Sequence, residues 1–154
     1  MNSNPGQTFA DAVISRQKGH LVDLPAAPEE TEVDVRSCQL RELPPIRDVT
    51  TLNVGRNYLA GIAAYPRLKV LKAYRNDLTS LPNCPELEFL SCSDNQLSSV
   101  PSYLKLTELY CGQNPISELG EYPELRDLNC DNCLLTQLPE CPKLRSLACQ
   151  HNRL

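Results

Sequence analysis

Cysteine is the residue type most able to do chemistry here, with eight thiols in 154 residues. Thiols at that density form disulfides, hold zinc or act as nucleophiles. Cys130 and Cys133 make one C-x-x-C, but no second pair of matching spacing supplies the rest of a tetrahedral zinc site. The two histidines, His20 and His151, have no nucleophile at a useful spacing and read as surface residues. Asp127 and Asp131, with Glu108 beside them, are carboxylates of the kind that do acid–base work or bind a cation. A solvated recognition face explains them better than catalysis. The sequence thus predicts no catalytic residue, no metal site and no cofactor, and the chain reads as a non-enzyme.

The spacing of these residues has a structural origin. The stretch Leu87 to Pro101, LEFLSCSDNQLSSVP, reads L-x-x-L-x-C-x-x-N-x-L-x-x-V-P, and its frame recurs every 19 residues. Cys38, Asn57, Asn76, Asn95, Asn114, Cys133 and Asn152 fall one period apart at the ninth position. Strict recurrence of this length predicts a solenoid of stacked turns. The first, fourth and sixth positions point inward from a short strand and its approach, and the residues between them point to the opposite face. The ninth-position Asn turns the chain out of the strand, where its amide can bond backbone groups that stacking would bury. The eleventh and fourteenth positions close the core from the return side. Prolines then follow the fourteenth position (Pro82, Pro101, Pro139) and precede the next repeat (Pro66, Pro85, Pro123, Pro142). Proline forbids a continuing helix, so the return path should be extended or polyproline-like.

That frame absorbs most of the cysteines. Cys92, Cys111, Cys130 and Cys149 occupy the sixth position and should form a buried ladder of small apolar thiols. Cys38 and Cys133 replace Asn at the ninth. Cys84 and Cys141 share a convex position with Tyr65, Tyr103 and Tyr122. Free thiols at this density fit a reducing compartment, that is, a cytoplasmic environment. The net charge of −4 gives no basic bias toward nucleic acid or an anionic membrane. No apolar run is long enough for a membrane-spanning helix, and residues 1–19 contain no apolar core of a signal peptide.

Two regions follow. Residues 1–19 read as a disordered tail plus an N-terminal capping helix over Thr8–Lys18, with Thr8 and Asp11 as a capping box and Gly19 just past its end. Residues 20–154 read as the repeat domain. His20–Pro25 is the back half of a turn with Leu21 and Leu24 inward, and Ala26–Thr31 is a loop. The last repeat breaks off at Leu154 without a fourteenth position or a polar outer side. This predicts a continuation beyond Leu154 and self-association through the open C-terminal edge at Ser146–Gln150.

The frame L-x-x-L-x-C-x-x-N-x-L-x-x-L-P, with prolines on the return path, resembles leucine-rich repeats. It is similar in particular to those of bacterial effector proteins: the plague-type effector with a bare repeat domain, and the invasion-plasmid ubiquitin ligases. The resemblance covers about residues 20–154. It implies an α/β solenoid, a horseshoe with short parallel strands on the concave face, an extended convex side and a short helical cap. It also implies a secreted virulence protein acting on a host protein in the host cytoplasm. The alternative is the substrate-recognition arm of a larger effector enzyme, such as a ubiquitin ligase whose catalytic domain lies beyond Leu154.

Four columns of side chains should project from the concave face, at the third, fifth, seventh and eighth positions. They sort into three regions: a basic side (Arg36, Arg56, Lys72, Arg75), an apolar and aromatic middle (Val70, Tyr74, Phe89, Tyr110) and an acidic side (Glu108, Asp127, Asp131). Aromatic anchors with Arg nearby are the usual chemistry of protein–protein hot spots. The predicted function is therefore binding of a partner protein on this face, centred on Phe89 and Tyr110 and flanked by Tyr74 and Arg75.

Overall fold

The computed structural model describes residues 31–43, 46 and 48–154. Within them the repeat makes one short strand per turn: β1 (Glu32–Asp34), β2 (Thr51–Asn53), β3 (Val70–Lys72), β4 (Phe89–Ser91), β6 (Glu108–Tyr110), β8 (Asp127–Asn129) and β9 (Ser146–Ala148). Two shorter strands, β5 (Ser99–Val100) and β7 (Glu118–Leu119), lie on the return path. The seven longer strands form one parallel sheet in chain order, and β5 pairs with β7 in a second. The register matches each residue with the one a repeat away, as in Leu52↔Leu71↔Leu90↔Leu109↔Leu128. This is a parallel-strand solenoid. From Val35 to Cys130 the N–H of the sixth residue continues the ladder beyond the strands, as when Val54 donates to Lys72 O at 2.8 Å.

The core fills from the predicted positions. The fourth-position residues from Val33 to Leu128 and the eleventh-position residues from Leu40 to Leu135 are buried. At the fourteenth position only Val100 is fully buried; Leu43, Ile62, Leu81, Leu119 and Leu138 pack half-buried against the cluster. Cys92, Cys111 and Cys130 form the thiol ladder, while Cys149 is half-buried and Leu147 is 44% exposed because nothing stacks beyond β9 among the described residues. No disulfide joins the described cysteines.

One expectation is corrected. No helix occurs among the described residues, so the α/β assignment gives way to an all-β solenoid there. The cap at Thr8–Lys18, the half-turn His20–Pro25 and all but the last residue of the loop Ala26–Thr31 lie outside the described residues. In the return-path column shared by tyrosine and cysteine, Tyr65, Cys84, Tyr103 and Tyr122 are core, at most 5% exposed, and Cys141 is half-buried. Burying a phenol requires a hydrogen-bond partner. Tyr103 Oη donates to Pro82 O at 2.7 Å, and Tyr122 Oη donates to Val100 O at 2.9 Å. Tyr122 Oη also accepts from Gly120 N–H at 3.0 Å. Gly120 is required by close approach, since a Cβ there would stand 2.5 Å from Ser102 N.

The ninth-position asparagines clip each turn to the one before. Asn57 Nδ2 donates to Val35 O, Val54 O and Gly55 O at 3.0, 2.8 and 3.4 Å. Its Oδ1 accepts from Cys38 N–H and Leu40 N–H, both at 3.0 Å. Asn76, Asn95, Asn114 and Asn152 repeat the three donations. Cys133 performs the same task poorly. Its Sγ lies 3.7 Å from Cys111 O and 3.8 Å from Asp131 O, and one S–H proton cannot serve both. The residue before each of these, at the eighth position, is left-handed in every copy: Ser37, Arg56, Arg75, Asp94, Gln113, Asn132 and His151 have φ between 53° and 59°. None is glycine and none is β-branched, the class for which this conformation is most costly. In the copies from Ser37 to Asn132 the strain is held because the N–H feeds the stack, as Arg56 N–H does to Tyr74 O at 2.8 Å.

Asn76→Ala should destabilise the fold by roughly 3 kcal/mol, because several buried backbone groups lose their partner at once. Cys133→Asn should stabilise it by about 1 kcal/mol, by restoring the amide where sulfur now stands. Chemical denaturation of the two variants checks both signs.

Burial pushes up the thiols of Cys84, Cys92 and Cys141, and that of Cys130 to about 12. It also raises the phenols of Tyr65, Tyr103 and Tyr122. Cys111 is raised because its S–H donates to Cys133, whose own thiol is lowered by that bond and by the N–H groups of Asn114 and Ile116. Unfolded thiols ionise near their ordinary 9.0, where the buried ones remain protonated, so the unfolded chain binds fewer protons and stability falls as pH rises. Cys133 opposes the trend as one group against the rest. The urea midpoint should therefore drop steadily from pH 9 toward pH 12; a flat or rising midpoint contradicts the burial of the thiol ladder.

Candidate functional site

The open side of the seven-stranded sheet carries the first and third residue of each strand, because side chains alternate. Val70, Phe89, Glu108 and Asp127 thus stand in one row, and Lys72, Ser91, Tyr110 and Asn129 in the next. Phe89 and Tyr110 are diagonal neighbours in these rows. Their ring centroids are 5.7 Å apart with planes tilted by 41°, and both rings are half-buried. Lys72 Nζ lies 5.8 Å from the centre of the Phe89 ring. The aromatic patch foreseen from spacing therefore exists as a contact on this face.

Beside the patch the face sinks into a groove of about 480 Å³. Arg56, Tyr74 and Arg75 stand on one wall, Tyr110 borders the middle, and Asp131 and Asn132 stand on the other. Small residues make the floor: Ser91, Ser93 and Gly112. Gly55 seats Tyr74, since a Cβ at Gly55 would lie 2.6 Å from the ring carbons. Of the predicted residues, the groove brings together Arg56, Tyr74, Arg75, Tyr110 and Asp131. Val70, Lys72, Phe89, Glu108 and Asp127 do not line it; they sit in the adjoining rows. The sequence reading missed the floor, whose signal was the small residues in the fifth and seventh columns.

Several of the charges are already engaged. Arg75 Nε meets Asp94 Oδ2 at 3.2 Å, with both side chains more than half exposed, so the pair adds little stability. Arg36 pairs with Asp34 in the same way at 3.3 Å. Asp131 Oδ1 accepts from Gln150 N–H at 2.6 Å. Tyr110 Oη donates to Glu108 Oε2 at 3.2 Å. Burial raises the Tyr110 phenol, and the negative charges of Glu108 and Asp127 raise it further. Arg56 and Asp127 make no ion pair among the described residues.

No cluster of His, Cys, Asp and Glu among the described residues has the geometry to hold a metal ion. His151 is exposed, and His20 lies outside the described residues. No helix among the described residues is long and apolar enough to cross a membrane. No family model matches the chain, and no curated protein matches it.

Gly55→Ala and Gly112→Ala should separate a movable neighbour from a fixed one. At Gly55 the obstacle is the Tyr74 ring, which can swing away, so the loss of stability should stay under about 1 kcal/mol. At Gly112 the nearest atom is the Asp131 backbone oxygen, at 2.9 Å from the added Cβ. That variant should lose roughly 2 kcal/mol, as overpacked sites do. Urea midpoints of the two proteins check the order.

Proposed function

We propose that this chain is a recognition module of the leucine-rich-repeat type that holds a partner protein on the open face of its sheet. The observation that carries the reading is the Phe89–Tyr110 contact. These rings are half-buried on a face opposite the core, at the lip of a preformed groove, and the core is complete without them. Aromatic side chains on a rigid support lose little entropy on binding and supply most of the energy at many interfaces. The strands beneath are the middle of a sheet, so the patch stands on backbone that is hydrogen-bonded on both sides.

The finer reading belongs to the same proposal: a horseshoe whose concave side is this face, with a helical cap over Thr8–Lys18. What supports it is the repeat frame and its prolines, together with the solenoid that the described residues form. That frame also motivates the proposed setting, a secreted bacterial effector that binds a host protein without catalysis of its own.

Phe89→Ala should leave the urea midpoint within about 0.5 kcal/mol of the parent, as surface changes do. It should weaken binding to a partner, isolated with the intact chain, by about 2 kcal/mol. A large drop in stability would place the ring in the core, and unchanged affinity would place recognition elsewhere.

A further inference from the structure

The engaged and unengaged charges on the open face divide by position. At its β2–β3 end, Arg56 and Lys72 make no ion pair among the described residues, and the neighbouring Arg75 is already held by Asp94. At its β6–β8 end, Glu108 and Asp127 are in direct register, so two acidic residues stand on neighbouring strands whose backbones are about 5 Å apart. Tyr110 satisfies one of them with a neutral hydroxyl, and no cation reaches either among the described residues. Like charges at that separation repel, and a cation from outside would relieve them. Asp131 also makes no ion pair and adds to this acidic end, its Oδ1 accepting only from Gln150 N–H, whereas Glu32 stands on β1, toward the other edge of the sheet. Between the two charged ends lie Val70, Phe89, Tyr110 and Tyr74 with the small residues of the groove floor, and the one acid there, Asp94, is already held by Arg75.

The backbone of this region cannot contribute. β3, β4 and β6 are interior strands whose N–H and C=O groups are committed to their neighbours, so no incoming strand can extend the sheet on this face. Recognition must come from side chains alone. The distance is fixed by the strands. Lys72 and Asp127 are three strand spacings apart and Arg56 is one further, about 14–19 Å in all. An extended chain covers that span in about four to six residues.

We infer that the occupant of this face is an extended segment of another protein with an acidic residue at one end, a basic residue four to six positions away, and an apolar or aromatic residue between. This rests on the reading of the open face as a binding surface. The acidic side chain lies over Arg56 and Lys72, the central one covers Phe89 and Tyr110, and the basic one sits between Glu108 and Asp127. Exposed ion pairs are individually weak, so the two ends fix direction and register while the aromatics supply the affinity.

Selection of displayed random twelve-residue peptides on the intact chain tests this. Peptides that bind should carry the acid–apolar–base pattern, lose affinity when salt is raised from 50 to 300 mM, and be lost on Phe89→Ala. The double variant Lys72→Glu with Asp127→Lys, both on the open face, leaves one charge of each sign at either end and should abolish the charge preference, a change of about tenfold. Three results would overturn the inference. Peptides that depend on Phe89 but keep the same preference after the charge swap would refute the dipolar pattern and leave the binding face standing. Peptides indifferent to both Phe89→Ala and Tyr110→Ala would refute the face as well. Failure to select any peptide, or a concentration-dependent dimer abolished by Phe89→Ala, would exclude an extended segment as the occupant.

Discussion

The solenoid depends on one problem and its solution. Where each turn leaves the sheet, the carbonyls of the sixth and seventh residues point into the stack, away from water. An unpaired buried carbonyl costs as much as a lost hydrogen bond. The ninth-position amide reaches the sixth-residue carbonyl of its own turn and of the turn before, as Asn76 does with Ala73 and Val54. That geometry closes only if the two turns have the same length. The 19-residue separation that runs through the side-chain pairs, Arg67 with Asp48, Lys105 with Glu86 and Lys143 with Glu124, follows from it. Leucine supplies the driving force for stacking, and asparagine fixes the register in which stacking occurs.

A repeat clipped in this way has little freedom elsewhere. The chain must pass from strand to asparagine in a fixed number of residues, and the left-handed eighth residue makes the bend. No glycine is used there. Each such residue adds strain of order 1–2 kcal/mol, which the hydrogen bonds on either side of it offset. In return the eighth side chains are thrown outward at the edge of the open face, where Arg56, Arg75 and Asn132 wall the groove. The bend that closes the core is therefore also the device that places side chains along the groove.

Most of the scaffold was legible because it repeats. The Leu columns, the thiol ladder, the Asn clips and the Arg75–Asp94 contact follow from spacing alone. Features that depend on backbone closure were not legible. Ser, Arg, Asp, Gln, Asn and His at the eighth position share no preference strong enough to announce a left-handed bend, although the lack of any β-branched residue there is consistent with it. The burial of the Tyr65–Tyr122 column was not legible, because its phenols share their position with Cys84 and Cys141 among prolines. Burial becomes affordable only once the carbonyls of Pro82 and Val100 are seen to face the hydroxyls. On the candidate site, the patch of Phe89 and Tyr110 was readable from the frame. The groove beside it was not, because a depression made by Ser91, Ser93 and Gly112 is defined by what those residues lack.

The same division between frame and face gives the functional reading its force. Residues at the inward positions are accounted for by stacking; their types are what the core requires. Nothing in the scaffold requires Phe at position 89, Lys at 72 or two adjacent carboxylates at 108 and 127. On stability alone these choices are poor. A half-buried phenylalanine on an open sheet is hydrophobic area left partly in water, and like charges in direct register repel. Thr51 and Asn53, in the same two rows of this sheet, show what the scaffold accepts where nothing further is asked: small polar residues, with Asn53 Nδ2 donating to Asp34 Oδ2 at 3.1 Å. The contrast between β2 and the strands β3, β4, β6 and β8 is a contrast between residues the fold explains and residues it does not. The second group forms a single continuous patch beside a groove. A partner held on this face, as proposed above, would account for both its composition and its continuity.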